Sequence, residues 1–152
     1  MRGFMKYLLA FIIFLSCFGF GVWIYSDNSD SQAKKALEEF YNYQGFAEKR
    51  GQVLSKGGNK LAPILIKKVK DKNTKYRFDI IHFLANNTEA RPVLQNIVKD
   101  ETEDNYTRKL TLEAIYSRDQ DSAKEIAKDY LNDSSFLGEF SNCILSHKLY
   151  CF

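Results

Sequence analysis

The apolar residues of this chain are distributed in two distinct ways. From Leu8 through Phe14 to Trp23 and Tyr25 they form one block, eighteen uncharged and mostly apolar residues, LLAFIIFLSCFGFGVWIY. After it they recur in short groups three and four residues apart, the spacing of a helix with one buried face. The block predicts a transmembrane helix: at about 1.5 Å rise per residue it reaches roughly 27 Å, close to the ~30 Å hydrocarbon core of a bilayer. Tyr7 at its start and Trp23 and Tyr25 at its end suit the two headgroup interfaces.

A cleaved export signal is the competing reading of the same block. Gly19-Phe20-Gly21 resembles a small-x-small cleavage site, but bulky Val22, Trp23, Ile24 and Tyr25 follow it. Leu15-Ser16-Cys17 resembles part of a bacterial lipoprotein signal, with Phe14 and Leu15 fitting that pattern poorly. A retained anchor, residues 1–26, is the favoured reading. Arg2 and Lys6 on one flank, against Asp27 and Asp30 on the other, place the N-terminus in the cytoplasm by the positive-inside rule. Lys34 and Lys35 dilute that bias. The expected location is the inner membrane of a bacterium, single-pass, with the C-terminal domain periplasmic.

Beyond the block the chain is predicted to be all-α. Asp27-Asn28-Ser29-Asp30-Ser31 is a polar cluster able to cap a helix. Ala33, Ala36, Leu37, Phe40, Tyr41 and Ala47 then mark one long or broken helix over about 30–55, interrupted by Gly45 and Gly51 and closed by Gly57-Gly58-Asn59. Residues 27–59 thus read as a linking helix and a glycine-rich loop. Six short helices are expected in residues 60–152. Their markers are Leu61 to Val69, Tyr76 to Leu84, Val93 to Val98, Tyr106 to Ile115, Ala123 to Leu131 and Phe136 to Ile144, with Leu149 a candidate extension. Pro63 and Pro92 fall at helix starts, where the missing N–H costs nothing.

These helices carry an internal echo. Pro63 and Pro92, and likewise Asp71 and Asp100, are 29 residues apart, and Arg77 and Arg108 follow in the second helix of each copy. A degenerate third copy runs from Ala123 to Asp133. A fixed period of this size signals stacked helix pairs that bury their apolar faces against one another. The pattern resembles short HEAT-like repeats, in which a proline starts the first helix, an Asp sits in the turn and an Arg enters the second helix. It covers about residues 61–133. The resemblance implies a short α-α superhelix of antiparallel pairs, with Asp71 and Asp100 fastening the turns and Arg77 and Arg108 beside them. The second turn is two residues longer, and the third copy lacks the proline and the arginine.

Charge and candidate chemistry narrow the functional classes. After residue 26 there are 20 basic and 19 acidic side chains, so no basic excess marks a nucleic-acid partner. Residues 56–77 carry a local +7 and residues 100–133 a local −5. Read as solvated faces, these blocks let adjacent repeats attract one another. Read as a site, Lys67, Lys68, Lys70, Lys72 and Lys75 form a candidate patch for anionic lipid or an acidic partner. His82 and His147 have no metal-ligand neighbours at helical spacing, and Cys143 with His147 does not close a zinc site. No catalytic residue, cofactor, metal site or small-molecule substrate is expected.

Cys143 and Cys151 are a candidate disulfide if the domain faces an oxidising compartment. Asn86, Asn105 and Asn132 match the N-x-S/T acceptor pattern, which arises often by chance. Tyr41, Tyr43, Phe46 and Tyr106 are either core rings or exposed anchors for a protein partner. The leading expectation is a membrane-anchored protein–protein interaction module, with an immunity or toxin-neutralising role as one specific form. The alternative is a peripheral protein that binds anionic lipid through residues 67–77.

Overall fold

The computed structural model describes residues 30–146, which form eight α-helices with no strand among the described residues. They are α1 (30–42), α2 (Ala47–Lys56), α3 (Ala62–Lys68), α4 (Arg77–Leu84), α5 (Arg91–Lys99), α6 (Asn105–Tyr116), α7 (Gln120–Ala127) and α8 (Phe136–Leu145). The fold is all-α. No helix among the described residues is long and apolar enough to cross a membrane. The apolar block with Leu8, Phe14, Trp23 and Tyr25 lies outside them, as do His147, Leu149 and Cys151.

The helix over 30–55 is broken in two. Residues 43–46 leave helical geometry, and Phe46 enters α2 in an extended conformation. The remaining boundaries follow local chemistry. Pro63 and Pro92 stand in the first turns of α3 and α5. Asp104 caps α6 by accepting from the Thr107 N–H, Asp119 caps α7 through the Ser122 N–H, and Ser135 caps α8 through the Leu137 N–H. Tyr76 enters α4 in the left-handed region, at φ 58°. A non-glycine residue holds that region only where its surroundings compensate. Here the ring packs edge-on against Phe40 and lies beneath the Arg50 guanidinium and the Lys75 ammonium.

Helices pair as α3 with α4, α5 with α6 and α7 with α8, and the second helices stack in succession, α2 on α4, α4 on α6 and α6 on α8. One continuous apolar core results. Leu65 and Val69 of the first pair, Leu94 and Leu112 of the second, and Ala127, Leu137 and Ile144 of the third are all buried in it. Ala33, Ala36 and Phe40 of α1 and Val53 and Leu54 of α2 belong to the same core. The segment expected to link an anchor to the helix pairs therefore shares their interior. Each buried leucine contributes about 1.5–3 kcal/mol, so α1 and α2 are integral to stability rather than appended to it.

The pairs are also joined by charge. Arg50 pairs with Asp79, Lys60 with Asp30, Lys72 with Asp100, Arg77 with Glu103, Arg91 with Asp119 and Lys99 with Asp129. Each of these partners is 26 to 30 residues from the other, one repeat along the chain. The basic and acidic blocks of the sequence thus meet each other when the helices stack.

Candidate functional site

The turn residues read from the echo take structural positions. Asp71 Oδ1 accepts from the Asn73 N–H at 2.9 Å, Asp100 Oδ1 from the Thr102 N–H at 2.9 Å, and Asp133 Oδ1 from the Ser135 N–H at 2.7 Å. Each is an Asx turn between the two helices of a pair. Arg77 Nε donates to the Val69 carbonyl and Arg108 Nε to the Val98 carbonyl, both at 2.8 Å. Those carbonyls stand at the ends of α3 and α5, where helical partners run out. In the third pair Asn142 Nδ2 reaches the Leu131 carbonyl at 3.1 Å, an amide in place of the missing guanidinium. These groups hold the turns together.

The lysine patch is largely engaged. Lys68 lies over the Tyr41 ring, and Lys75 lies over the Tyr76 ring while donating to the Tyr41 carbonyl. Lys72 donates to Thr102 Oγ1 at 2.7 Å and lies 3.4 Å from Asp100. Of the five candidate lysines, Lys67 and Lys70 alone have no partner among the described residues. The local +7 is thus mostly answered from within the fold.

Among the described residues neither histidine nor cysteine builds a centre. His82 is exposed on α4, and no group of three metal-ligating side chains occurs among the described residues. Cys143 is disulfide-bonded, so it offers no thiol, and its partner lies outside the described residues.

What the stack presents instead is a row of rings. Phe46 stands immediately before α2, Phe78 and Tyr106 are the second residues of α4 and α6, and Phe136 begins α8. They are 83, 39, 56 and 65 % exposed, against a core whose large side chains are almost wholly buried. Leu131, 45 % exposed, is the other large apolar side chain left out of the core among the described residues. The four helix starts lie at one edge of the stack. Arg50 in the first turn of α2 pairs with Asp79 in the first turn of α4 at 2.7 Å, and the Phe78 and Tyr106 rings meet edge-to-face at 6.0 Å between centroids. Lys109 of α6 lies over the Phe140 ring of α8.

Two grooves open along this edge, and Phe78 stands in the wall of the second. One, about 400 Å³, runs between α2 and α4 along Glu48, Gly51, Asp79 and His82. The other, about 670 Å³, lies between the start of α4 and the start of α6, with Lys72, Thr74, Phe78, Asp104 and Tyr106 in its walls. Of the rings singled out in the sequence, Phe46 and Tyr106 belong to this edge. Tyr41 is half-buried with its hydroxyl enclosed and without a hydrogen-bond partner among the described residues, and burial pushes its pKa up. Tyr43 is half-buried too, its carbonyl accepting from the Tyr76 hydroxyl at 3.4 Å. Phe78 was not singled out, and Phe136, read as the first apolar marker of the sixth helix, is exposed instead.

No protein-family model matches the chain, and no curated protein or solved structure shows significant similarity to it.

Proposed function

We propose that this chain is a short HEAT-like stack of helix pairs, tethered by residues 8–25 to a bacterial inner membrane, and that it acts by binding another protein along its aromatic edge. The observation that carries the reading is the repetition of an exposed ring at the start of α2, α4, α6 and α8. An apolar ring held in water at one helix start is ordinary; exposed rings at or beside the starts of four alternate helices make a surface with a use. A toxin-neutralising, immunity-type role is one form such binding takes, on fold-level analogy alone.

A periplasmic location for the helical domain is supported by the disulfide at Cys143, since such bonds persist in oxidising compartments. Its proposed partner is Cys151. The anionic-lipid alternative draws less support, because Lys68, Lys72 and Lys75 are engaged with neighbours.

The test is crosslinking in intact cells, followed by purification from solubilised membranes beside an anchor-only control. A specific partner should enrich with the full chain, and enrichment should fall when Phe78 and Tyr106 are both changed to Ser. Equal recovery with the anchor alone would remove the basis of the proposal. A C-terminal topology reporter tests the location: a cytoplasmic C-terminus would overturn the periplasmic assignment and the disulfide with it.

A further inference from the structure

The two grooves along this edge carry an unbalanced charge. Most of the ionic groups in their walls are answered inside the fold: Asp79 by Arg50, Arg77 by Glu103, and Lys72 by Asp100. Glu48 in the α2/α4 groove and Asp104 in the α4/α6 groove have no countercharge among the described residues. Asp104 accepts from the Thr107 hydroxyl and N–H, which holds its carboxyl below the usual carboxylate range and keeps it ionised at neutral pH. The free lysines Lys67 and Lys70 line neither groove.

The rings add to the same preference. An exposed aromatic face attracts a cation placed over it, more strongly for a guanidinium than for most groups. The fold already uses this attraction five times, at Arg50, Lys68, Lys75, Arg108 and Lys109. Both groove volumes fall within the range of about 300–1,000 Å³ that encloses inserted groups rather than meeting a flat face.

We infer that the occupant of this edge is a cationic, partly apolar segment of the partner protein. Its apolar side chains lie against Phe78 and Tyr106, and its Arg or Lys side chains reach Glu48 on one side and Asp104 on the other. The inference rests on the proposed protein-binding function and specifies the chemistry of the partner.

The experiment uses the full chain in its own membrane. A photoreactive benzoyl-phenylalanine replaces Phe46 or Tyr106, or, as a control at the other end of α6, the exposed Arg118. Cross-linked peptides are then sequenced by mass spectrometry. The expected result is a partner segment rich in Lys or Arg, captured at Phe46 and Tyr106 and not at Arg118. Capture should fall about fivefold in the double variant Glu48→Gln, Asp104→Asn, the effect of two exposed ion pairs of about 0.5 kcal/mol each. Asparagine retains the cap of α6, so the variant keeps its fold. Capture of a neutral or acidic segment, of a second copy of this chain, or of a segment whose yield ignores the double variant would overturn the inference and leave protein binding standing, whereas capture at Phe46 and Tyr106 no greater than at Arg118 would overturn both.

Discussion

Arg77 and Glu103 form a bidentate ion pair that joins one helix pair to the next, Nη1 to Oε2 at 2.9 Å and Nη2 to Oε1 at 2.6 Å. Their side chains are only 8 and 5 % exposed. The third Arg77 nitrogen, Nε, closes α3 by donating to the Val69 carbonyl. One guanidinium therefore fixes both a turn within its own pair and the stacking of the following pair.

That geometry predicts an asymmetry between breaking the pair and replacing it. Glu103→Ala strands a buried guanidinium and should lower unfolding stability by about 3–5 kcal/mol. Arg77→Met with Glu103→Leu removes both charges and should recover most of that loss, less the Val69 hydrogen bond of about 1 kcal/mol. Urea unfolding of the full chain in mild detergent, followed by circular dichroism, reads both. If the single and double variants were equally unstable, the ion pair would not be what couples the two helix pairs.

The equivalent arginine of the second pair has no buried carboxylate paired with it among the described residues. Arg108 donates Nε to the Val98 carbonyl and Nη1 to Asn105 Oδ1 while its plane lies 5.2 Å from the Tyr130 ring centroid. A lysine ammonium cannot hold the carbonyl and stack at once. Arg108→Lys should cost about 1–2 kcal/mol, whereas Arg118→Lys, exposed and without a partner among the described residues, should be close to neutral. Equal midpoints for the two variants would mean that the Arg108 side chain contributes only its positive charge.

Acid stability follows from the caps and turns. Hydrogen bonds from the Thr102 hydroxyl lower the Asp100 pKa, those from the Thr107 hydroxyl lower that of Asp104, and the Ser122 and Ser135 N–H groups do the same for Asp119 and Asp133. A carboxyl with a depressed folded value stabilises the fold above its ordinary value, 3.8 here, and that contribution fades as pH falls through the folded value. The chain should therefore hold constant stability down to about pH 4–5 and lose it steeply below. Asp104→Asn keeps the cap without a titrating group and should flatten part of that acid limb. An unchanged pH profile for this variant would remove Asp104 from the explanation.

How much of this was legible depends on the range of the interaction involved. Helices and their starts are set by neighbours in sequence, so the apolar spacing of Leu94, Ile97 and Val98 and the placing of Pro63 and Pro92 located α3 to α8 closely. Arg77 and Arg108 stood out by period. Glu103 did not, because its role depends on which pair stacks against which, and a carboxylate near a turn looks the same whether solvated or buried. The lysines pose the same problem: Lys72 and Lys75 read as a patch along the chain, and in the fold they meet Asp100 and the Tyr41 carbonyl. The aromatic edge was half visible. Phe46 and Tyr106 exceeded what a core needed, while Phe78 lies within the apolar-looking run Phe78-Asp79-Ile80-Ile81 and its exposure follows only from the direction α4 faces.

Two glycines in helices should respond oppositely to the same added methyl group. At Gly138, near the start of α8, a Cβ would fall 1.8 Å from the Asp133 carbonyl oxygen, a backbone atom in the turn that Asp133 itself fastens. Gly138→Ala must displace either the turn or the helix start, and it should destabilise by about 1–3 kcal/mol, the range of overpacking in a tight interior. At Gly51, within α2 and open to the α2/α4 groove, a Cβ would meet nothing within 4 Å. Gly51→Ala should stabilise the chain by about 0.5–1 kcal/mol through helix propensity alone. Replacement by Leu at the same position would project into the α2/α4 groove. It should keep the stability gained and lower crosslinking at Phe46, and a loss of stability without loss of capture would mean that the groove takes no part in binding.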